Sequence, residues 1–310
     1  MDNVIDVSII IPVFNDSKGI ENLLSSIDEI SRIKEIIIID DNSVSQEFDK
    51  IINFTEPIGN VEVIKNNSSG KGAGAARNVG LLKATGKWVL FADSDDQFLN
   101  NFTNNINKYA NANKIDIVYF PPISLDEQGH LGTRHKIYES YFVEYYQTKD
   151  ETALRYMLPV VWSALFNRNF IKNNNIFFEE IMVANDKMFS ILTGHKAKNI
   201  LVAKEKIYSW NYRTDSLTTS VSEEKYEIII NGLIRQVDYF NKNVSRKVFL
   251  KVTDSIVKVV AIAIFRNKFG VRYSLKLFLR LKKHHLPIAK LSDLGRVSNF
   301  FLNNKYYKKN

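Results

Sequence analysis

The chain has 310 residues, 45% apolar and 25% charged, the balance of a globular protein with room for one large core or two. It holds no cysteine, which excludes disulfides and thiolate metal sites, and no uncharged apolar run of about 18 residues, which argues against a spanning helix. The net charge of +8 conceals a division: residues 242–310 hold 17 Lys and Arg against 2 Asp and Glu, residues 1–241 hold 25 against 32, and the tail is predicted to meet something anionic.

Met1-Asp2-Asn3-Val4-Ile5-Asp6 lacks the basic start of a secretion signal, and a cytoplasmic chain is expected. Residues 7–12 form a nearly continuous apolar run, the pattern of a strand buried on both faces, and Pro12 is expected to end it. Ile20, Leu23, Leu24 and Ile27 then fall at helical spacing. Residues 35–39 repeat the strand signal and run into Asp40-Asp41-Asn42-Ser43. Phe48, Ile51 and Ile52 predict a second helix, and residues 61–64 a third strand. A loop of Gly, Ser and Asn occupies 66–74, followed by a helix over 75–84. Trp88, Val89, Leu90, Phe91 and Ala92 predict a buried strand over 87–92 that leads into Asp93-Ser94-Asp95-Asp96. A helix over 102–109 and a strand over 115–120 complete an alternation that predicts an α/β fold, a parallel sheet with helices on its faces.

After Pro121-Pro122 the rhythm breaks. Residues 123–147 are predicted as loop with short strands, 151–158, 168–174 and 186–192 as helices, and 200–203 and 207–212 as extended. From about Glu223 onward the pattern is helical throughout.

Asp93, Asp95 and Asp96 carry the strongest chemical signal. Ionised carboxylates this close repel, and a hard divalent cation, Mn²⁺ or Mg²⁺, removes the repulsion through oxygen ligands. Loops at the carboxyl ends of strands form the ligand crevice of an open α/β sheet. The alternative is a polar turn in which Asp caps the next helix. Asp40-Asp41-Asn42-Ser43 admits the same two readings, a carboxylate for a base or ribose or a helix cap. Gly70-x-Gly72-x-x-Ala75 matches a dinucleotide fingerprint loosely, but follows the third strand rather than the first. A glycine loop opening a helix can still approach a diphosphate, with Lys71 or Arg77 as counter-charge; a flexible surface loop is the alternative. The five histidines show no metal-ligand spacing.

Pro12-Val13-Phe14-Asn15, Asp40-Asp41-x-Ser43, Gly72-x-Gly74-x-x-Arg77-Asn78-x-Gly80 and Asp93-Ser94-Asp95-Asp96 stand in the order of a known family. Val161-Trp162-Ser163-Ala164-Leu165-Phe166, Asn185-Asp186-Lys187-Met188-Phe189 and Tyr212-Arg213-Thr214-Asp215-Ser216-Leu217-Thr218 continue the series. Across residues 5–220 the chain resembles the family 2 inverting glycosyltransferases, which have the GT-A fold. The resemblance implies a nucleotide-sugar-binding catalytic domain over 1–220; the residues that follow read by their own charge and pattern as a basic, mainly helical region over 221–310. It implies that Pro12, Val13 and Phe14 line the nucleotide pocket with Asn15 and Ser94, that Asp41 holds the base, usually uracil, and that Asp93 contacts the ribose. It further implies that Asp95 binds the metal, Asp186 is the catalytic base and Arg213 neutralises the leaving diphosphate. Asn185 departs from the family's usual Glu, which puts a neighbouring acceptor contact in doubt; Glu179 and Glu180 are alternative bases.

The implied reaction moves a sugar from a nucleotide sugar, UDP-linked by this reading, to a hydroxyl of a glycan or lipid-linked acceptor in cell-surface polysaccharide synthesis. A nucleotidyltransferase acting on sugar phosphates would also pair carboxylates with a cation, but would carry its Gly-rich basic loop after the first strand, where this chain has Val13-Phe14-Asn15-Asp16-Ser17. A non-enzymatic nucleotide- or anion-binding module leaves Asp93, Asp95, Asp96 and Asp186 unexplained. No nucleic-acid-binding motif is found and no nucleic acid is expected. In the tail, Lys247, Lys251 and Lys258 fall on one helical face with Phe249, Val252, Ile256, Val259 and Ala263 along another side. Arg272, Lys276, Arg280 and Lys283 make a second basic stripe beside Leu275, Phe278 and Leu279. Both stripes fit peripheral attachment to an anionic membrane surface, and both fit helices packed on a neighbouring domain.

Overall fold

The structure, a computed structural model, describes residues 4–126, 128–211, 222–290 and 293. The chain divides into two compact units, Met1–Thr219 and Ser220–Asn310. The first unit runs β1 (Ile5–Val13), α1 (Ser17–Ser25), β2 (Ile33–Asp40), α2 (Ser45–Thr55), β3 (Val61–Lys65), α3 (Gly72–Lys83), β4 (Trp88–Phe91), β5 (Gln97–Phe98), α4 (Phe102–Ala110), β6 (Ile117–Tyr119) and β7 (Ile123–Leu125). It continues through α5 (Lys136–Thr148), α6 (Thr152–Met157), β8 (Ala164–Asn167), α7 (Arg168–Asn173), α8 (Asp186–Lys196), β9 (Ile200–Val202) and β10 (Tyr208–Asn211).

Among the described residues, seven strands form the main sheet in the order β3-β2-β1-β4-β8-β6-β9. The pairs β3/β2, β2/β1, β1/β4 and β6/β9 are parallel, whereas β8 runs antiparallel to both β4 and β6. The fold is therefore α/β with a mostly parallel central sheet flanked by helices. Ile9, Ile10, Ile36, Ile38, Leu90 and Phe91 are fully buried, which explains why these strands read as unbroken apolar runs. A second sheet of three short strands, β5-β10-β7, packs beside the carboxyl end of β4.

Pro12 does not end its strand: β1 continues to Val13, with Pro12 level with Ile39. The pairing with β4 stops at Ile10–Phe91. Alternate residues of β1 face β4 and β2, so the missing N–H of Pro12 points to the side where β4 has already ended, and no ladder bond is lost. The expected loop over 123–147 is also corrected. It contains α5, a helix of 13 residues whose Tyr138, Phe142, Tyr145 and Tyr146 follow helical spacing toward the core. The segment 161–166 supplies a core strand: Ala164, Leu165 and Phe166 are buried in β8, and Ser163 Oγ donates to Phe120 O at 2.5 Å.

The second unit contains α9 (Glu223–Asn243), α10 (Arg246–Val252), α11 (Ile256–Ala261), which runs on into a π-helical turn, and α12 (Val271–Lys283). Tyr226, Ile230, Ile234, Val237 and Phe240 form the buried stripe of α9. Among the described residues, no helix is long and apolar enough to cross a membrane.

Candidate active site

The carboxyl ends of β1, β2 and β4 lie side by side, so their loops meet. Pro12, Val13, Phe14 and Asn15 at the end of β1, Asp41 after β2, Lys71 and Arg77 around the start of α3, and Asp93, Ser94 and Asp95 after β4 line one open cleft of about 1190 Å³. Arg213 and the rest of the 212–218 loop lie outside the described residues.

Each loop is tied by its own polar groups. Asn15, at φ 50°, donates its N–H to Ser43 Oγ and accepts from Val44 N–H, both at 2.8 Å, which joins the first two loops. Asp41 reaches across to the glycine-rich loop: Oδ2 accepts from Gly72 N–H at 2.6 Å and Oδ1 from Asn66 Nδ2 at 2.8 Å. A carboxylate here satisfies one of the unpaired N–H groups that every helix start presents, so α3 begins at Gly72, earlier than expected. Asp16 caps α1 through Gly19 N–H and accepts from Ser94 Oγ at 2.8 Å, joining the first loop to the acidic one.

The motif of α3 serves packing as much as ligand approach. A Cβ on Gly74 would collide with the carbonyl oxygen of Glu179, and one on Gly80 with Ile10. Asn78 exchanges two hydrogen bonds with the backbone of Phe178. Arg77, expected as a counter-charge for a diphosphate, borders the cleft but is 5% exposed and held from both sides. One nitrogen pairs with Asp93 Oδ1, another donates to Asn185 Oδ1 at 2.9 Å, and the guanidinium lies 5.4 Å from the centre of the Phe178 ring. Asn185, the departure from the usual Glu, is thus a neutral partner for this buried cation. Lys71 is exposed at the cleft.

The three carboxylates after β4 separate. Asp96 is 3% exposed: Oδ1 accepts from Asn211 N–H at 2.8 Å and Oδ2 from the Tyr208 hydroxyl at 2.9 Å. The same hydroxyl accepts from Asp93 N–H at 2.8 Å. Burial first, then the charges of Asp93 and Asp95, raises the Asp96 carboxyl well above its ordinary range, against the pull of the Asn211 and Tyr208 bonds. Asp96 therefore drops out of the expected cation cluster and braces the loop. Asp93 is engaged by Arg77, and Asp95 is exposed on the ridge between the main cleft and a smaller one of about 560 Å³. Among the described residues, no three His, Asp or Glu side chains converge as a ready metal cage. One or two carboxylates still fit Mg²⁺ or Mn²⁺, which fill their remaining positions with phosphate oxygens and water.

Asp186 opens α8, half-buried and outside the lining of the main cleft. Burial raises its carboxyl above the ordinary Asp range; Asp93 adds to this, while Arg77 and Lys187 oppose it. Glu180 lines the cleft and accepts from Asn78 Nδ2 at 3.2 Å. Two participants escaped sequence reasoning. Tyr208, stacked on Trp162 at 4.9 Å between ring centres, had no local signal. Tyr138, pushed up to about 12 by burial and then by the charge of Asp186, sits on α5, whose aromatic spacing was the signal available.

The family model described as glycosyl transferase family 2 matches residues 8–174, more than half of the chain. The chain belongs to glycosyl transferase family 2. Residues 1–349 of Staphylococcus aureus TarS, solved in complex with UDP-GlcNAc, share the fold at a TM-score of 0.65 and 20% identity, over 88% of this chain and 80% of that one. The poly(ribitol-phosphate) beta-glucosyltransferase of Bacillus spizizenii is 28% identical over 220 residues, 70% of this chain but 34% of that protein. The chain thus spans about a third of that relative. The GalNAc(5)-diNAcBac-PP-undecaprenol beta-1,3-glucosyltransferase of Campylobacter jejuni is 23% identical over 233 residues, 73% of this chain and 72% of that protein.

Proposed function

We propose that the chain is a divalent-cation-dependent, inverting glycosyltransferase that moves a sugar from a nucleotide sugar, UDP-linked by preference, to a hydroxyl of a cell-surface glycan or of a glycan on a lipid carrier. The observation that carries the reading is the division of labour around one cleft. Three strand-end loops surround it, and Asp186, from a separate chain segment, stands outside its lining but near enough to Arg77 and Asp93 to feel their charges. Names of relatives support the acceptor class: one acts on poly(ribitol-phosphate), another on an undecaprenol-linked glycan.

In this reading the exposed Phe14 and the Asp41 carboxylate take the base, Asp93 the ribose, and Lys71 the diphosphate; Arg213 is assigned to the diphosphate by motif. When bound, a divalent cation held by Asp95 offsets the charge that the leaving diphosphate gains. Asp186 takes the proton of the acceptor hydroxyl while the hydroxyl oxygen bonds to the anomeric carbon. The bond from that carbon to the diphosphate oxygen breaks, and the diphosphate leaves with the electron pair. One displacement needs no enzyme nucleophile and inverts the anomeric centre, unlike the two-step route of retaining enzymes. Arg77 acts by position in this reading, since it is buried and already engaged by Asp93 and Asn185.

The test is a thermal-shift screen of nucleotide sugars with Mn²⁺ or Mg²⁺, followed by anomeric analysis of the product. A donor at 100 times its dissociation constant should add about 2.7 kcal/mol. Stabilisation by nucleoside triphosphates and sugar phosphates with no response to nucleotide sugars would move the assignment to the nucleotidyltransferase.

A further inference from the structure

The second unit separates two basic stripes that look alike in the sequence. In the first, Phe249, Ile256, Val259 and Ala263 are buried. The helix breaks between α10 and α11, where Ser255 caps the new start, and Lys258 pairs with Asp254 at 2.5 Å. That stripe is a core with its charge partly neutralised, which favours the packed-helix reading for it.

The helix α12 is built the other way. It spans 13 residues, about 20 Å, and carries five Lys and Arg and no carboxylate. One face is held down: Ser274, Leu277 and Leu281 are buried. Glu227 on α9 fixes the rotation, accepting from the Tyr273 hydroxyl at 2.5 Å and from Arg280 Nη1 at 2.7 Å. Tyr273 also joins Tyr226 and Phe269 in an aromatic cluster. The rotation so fixed turns Val271, Leu275 and Leu279 outward, one turn apart and 79%, 60% and 59% exposed. At 100° per residue, Arg272, Lys276 and Lys283 run along one margin of this stripe and Lys282 closes its C-terminal end. All four are exposed and make no ion pair among the described residues.

A row of aliphatic side chains facing outward marks an interaction surface, and the charge around it selects the partner. A margin of cations without one carboxylate complements a plane of lipid phosphates, while the aliphatic row reaches the acyl boundary beneath them. We propose that α12 is an in-plane anchor for an anionic bilayer, with Val271, Leu275 and Leu279 inserted and Arg272, Lys276, Lys282 and Lys283 at the headgroups. The inference stands on this helix alone and does not depend on the reaction proposed above.

The test uses the full chain and sedimentation with vesicles of equal parts phosphatidylglycerol and phosphatidylcholine, against phosphatidylcholine alone. Binding is expected on the anionic vesicles at low salt, weakened at least about tenfold by raised salt or by removal of the anionic lipid. The Leu275→Gln/Leu279→Gln variant keeps every charge and should lose about tenfold in binding, with an unchanged melting temperature. Because the chain has no cysteine, Leu275→Cys takes a polarity-sensitive dye at one site, and its emission should shift blue on anionic vesicles. Failure of the full chain to bind anionic vesicles overturns the proposal. So does equal binding by the glutamine variant, or binding without a dye shift, since other basic residues would then carry it. A dimer in sedimentation velocity that the glutamine variant dissolves would assign the face to a second copy of the chain, and equally overturns it.

Discussion

The two acidic strand ends of the first unit place neighbouring carboxylates in opposite directions. At the end of β2, Asp40 is 1% exposed and accepts from Ser43 N–H, while Asp41 borders the cleft and accepts from the first N–H of α3. After β4, the order reverses: Asp95 is exposed at the cleft and Asp96 is buried against Tyr208 and Asn211. In each pair one carboxylate stiffens the turn and the other is presented by it. Adjacent acids in a sequence are therefore not by themselves a chelating set. Their division predicts that the presented members govern turnover and the inward members govern stability.

The largest effect is expected at the presented end of the second pair. Asp95→Ala, or excess EDTA on the intact chain, should remove several kcal/mol of transition-state stabilisation, about a thousandfold in turnover, with the melting temperature unchanged. Full turnover in EDTA would break the assignment. Asp186→Asn should lower turnover by about two to four orders of magnitude and leave donor affinity nearly intact. The sign of its pH dependence follows from the base working ionised: activity falls as pH drops through the raised Asp186 pKa, so the acid limb lies above the ordinary Asp range. If the glutamine variant of Glu180 is inactive and Asp186→Asn is not, the base is Glu180.

The inward members should respond in stability first. Asp96→Ala strands the Asn211 N–H and the Tyr208 hydroxyl in a buried setting, at about 1–3 kcal/mol for each group left unsatisfied, read by denaturant unfolding. Tyr208→Phe keeps the stack on Trp162 and the Asn211 bond to Asp96, but leaves Asp96 Oδ2 without its donor, at about 1–3 kcal/mol. A loss of turnover in Tyr208→Phe without any loss of stability would show that the hydroxyl serves substrate, and the division between bracing and presented groups would fail there.

The strands β1, β2 and β4, the loops that follow them and the carboxylates at their ends were legible in the sequence, because apolar runs and strand-end chemistry are short-range properties. The amphipathic pattern of the tail was legible too, but not which stripe faces outward. That choice rests on Glu227, which holds Tyr273 and Arg280 from 46 and 53 residues away. The same holds for the site. Arg77 meets Asn185 across 108 positions, and Tyr208 meets Asp93 across 115. These contacts decide that Arg77 is buried between Asp93 and Asn185, and that Asp96 turns inward onto Tyr208 and Asn211. A single sequence records which polar groups exist. Which of them burial forces to pair with one another, and which it leaves for a ligand, is settled when the antiparallel β8 and the small β5-β10-β7 sheet close around the acidic loop, and desolvation then penalises every polar group left without a partner.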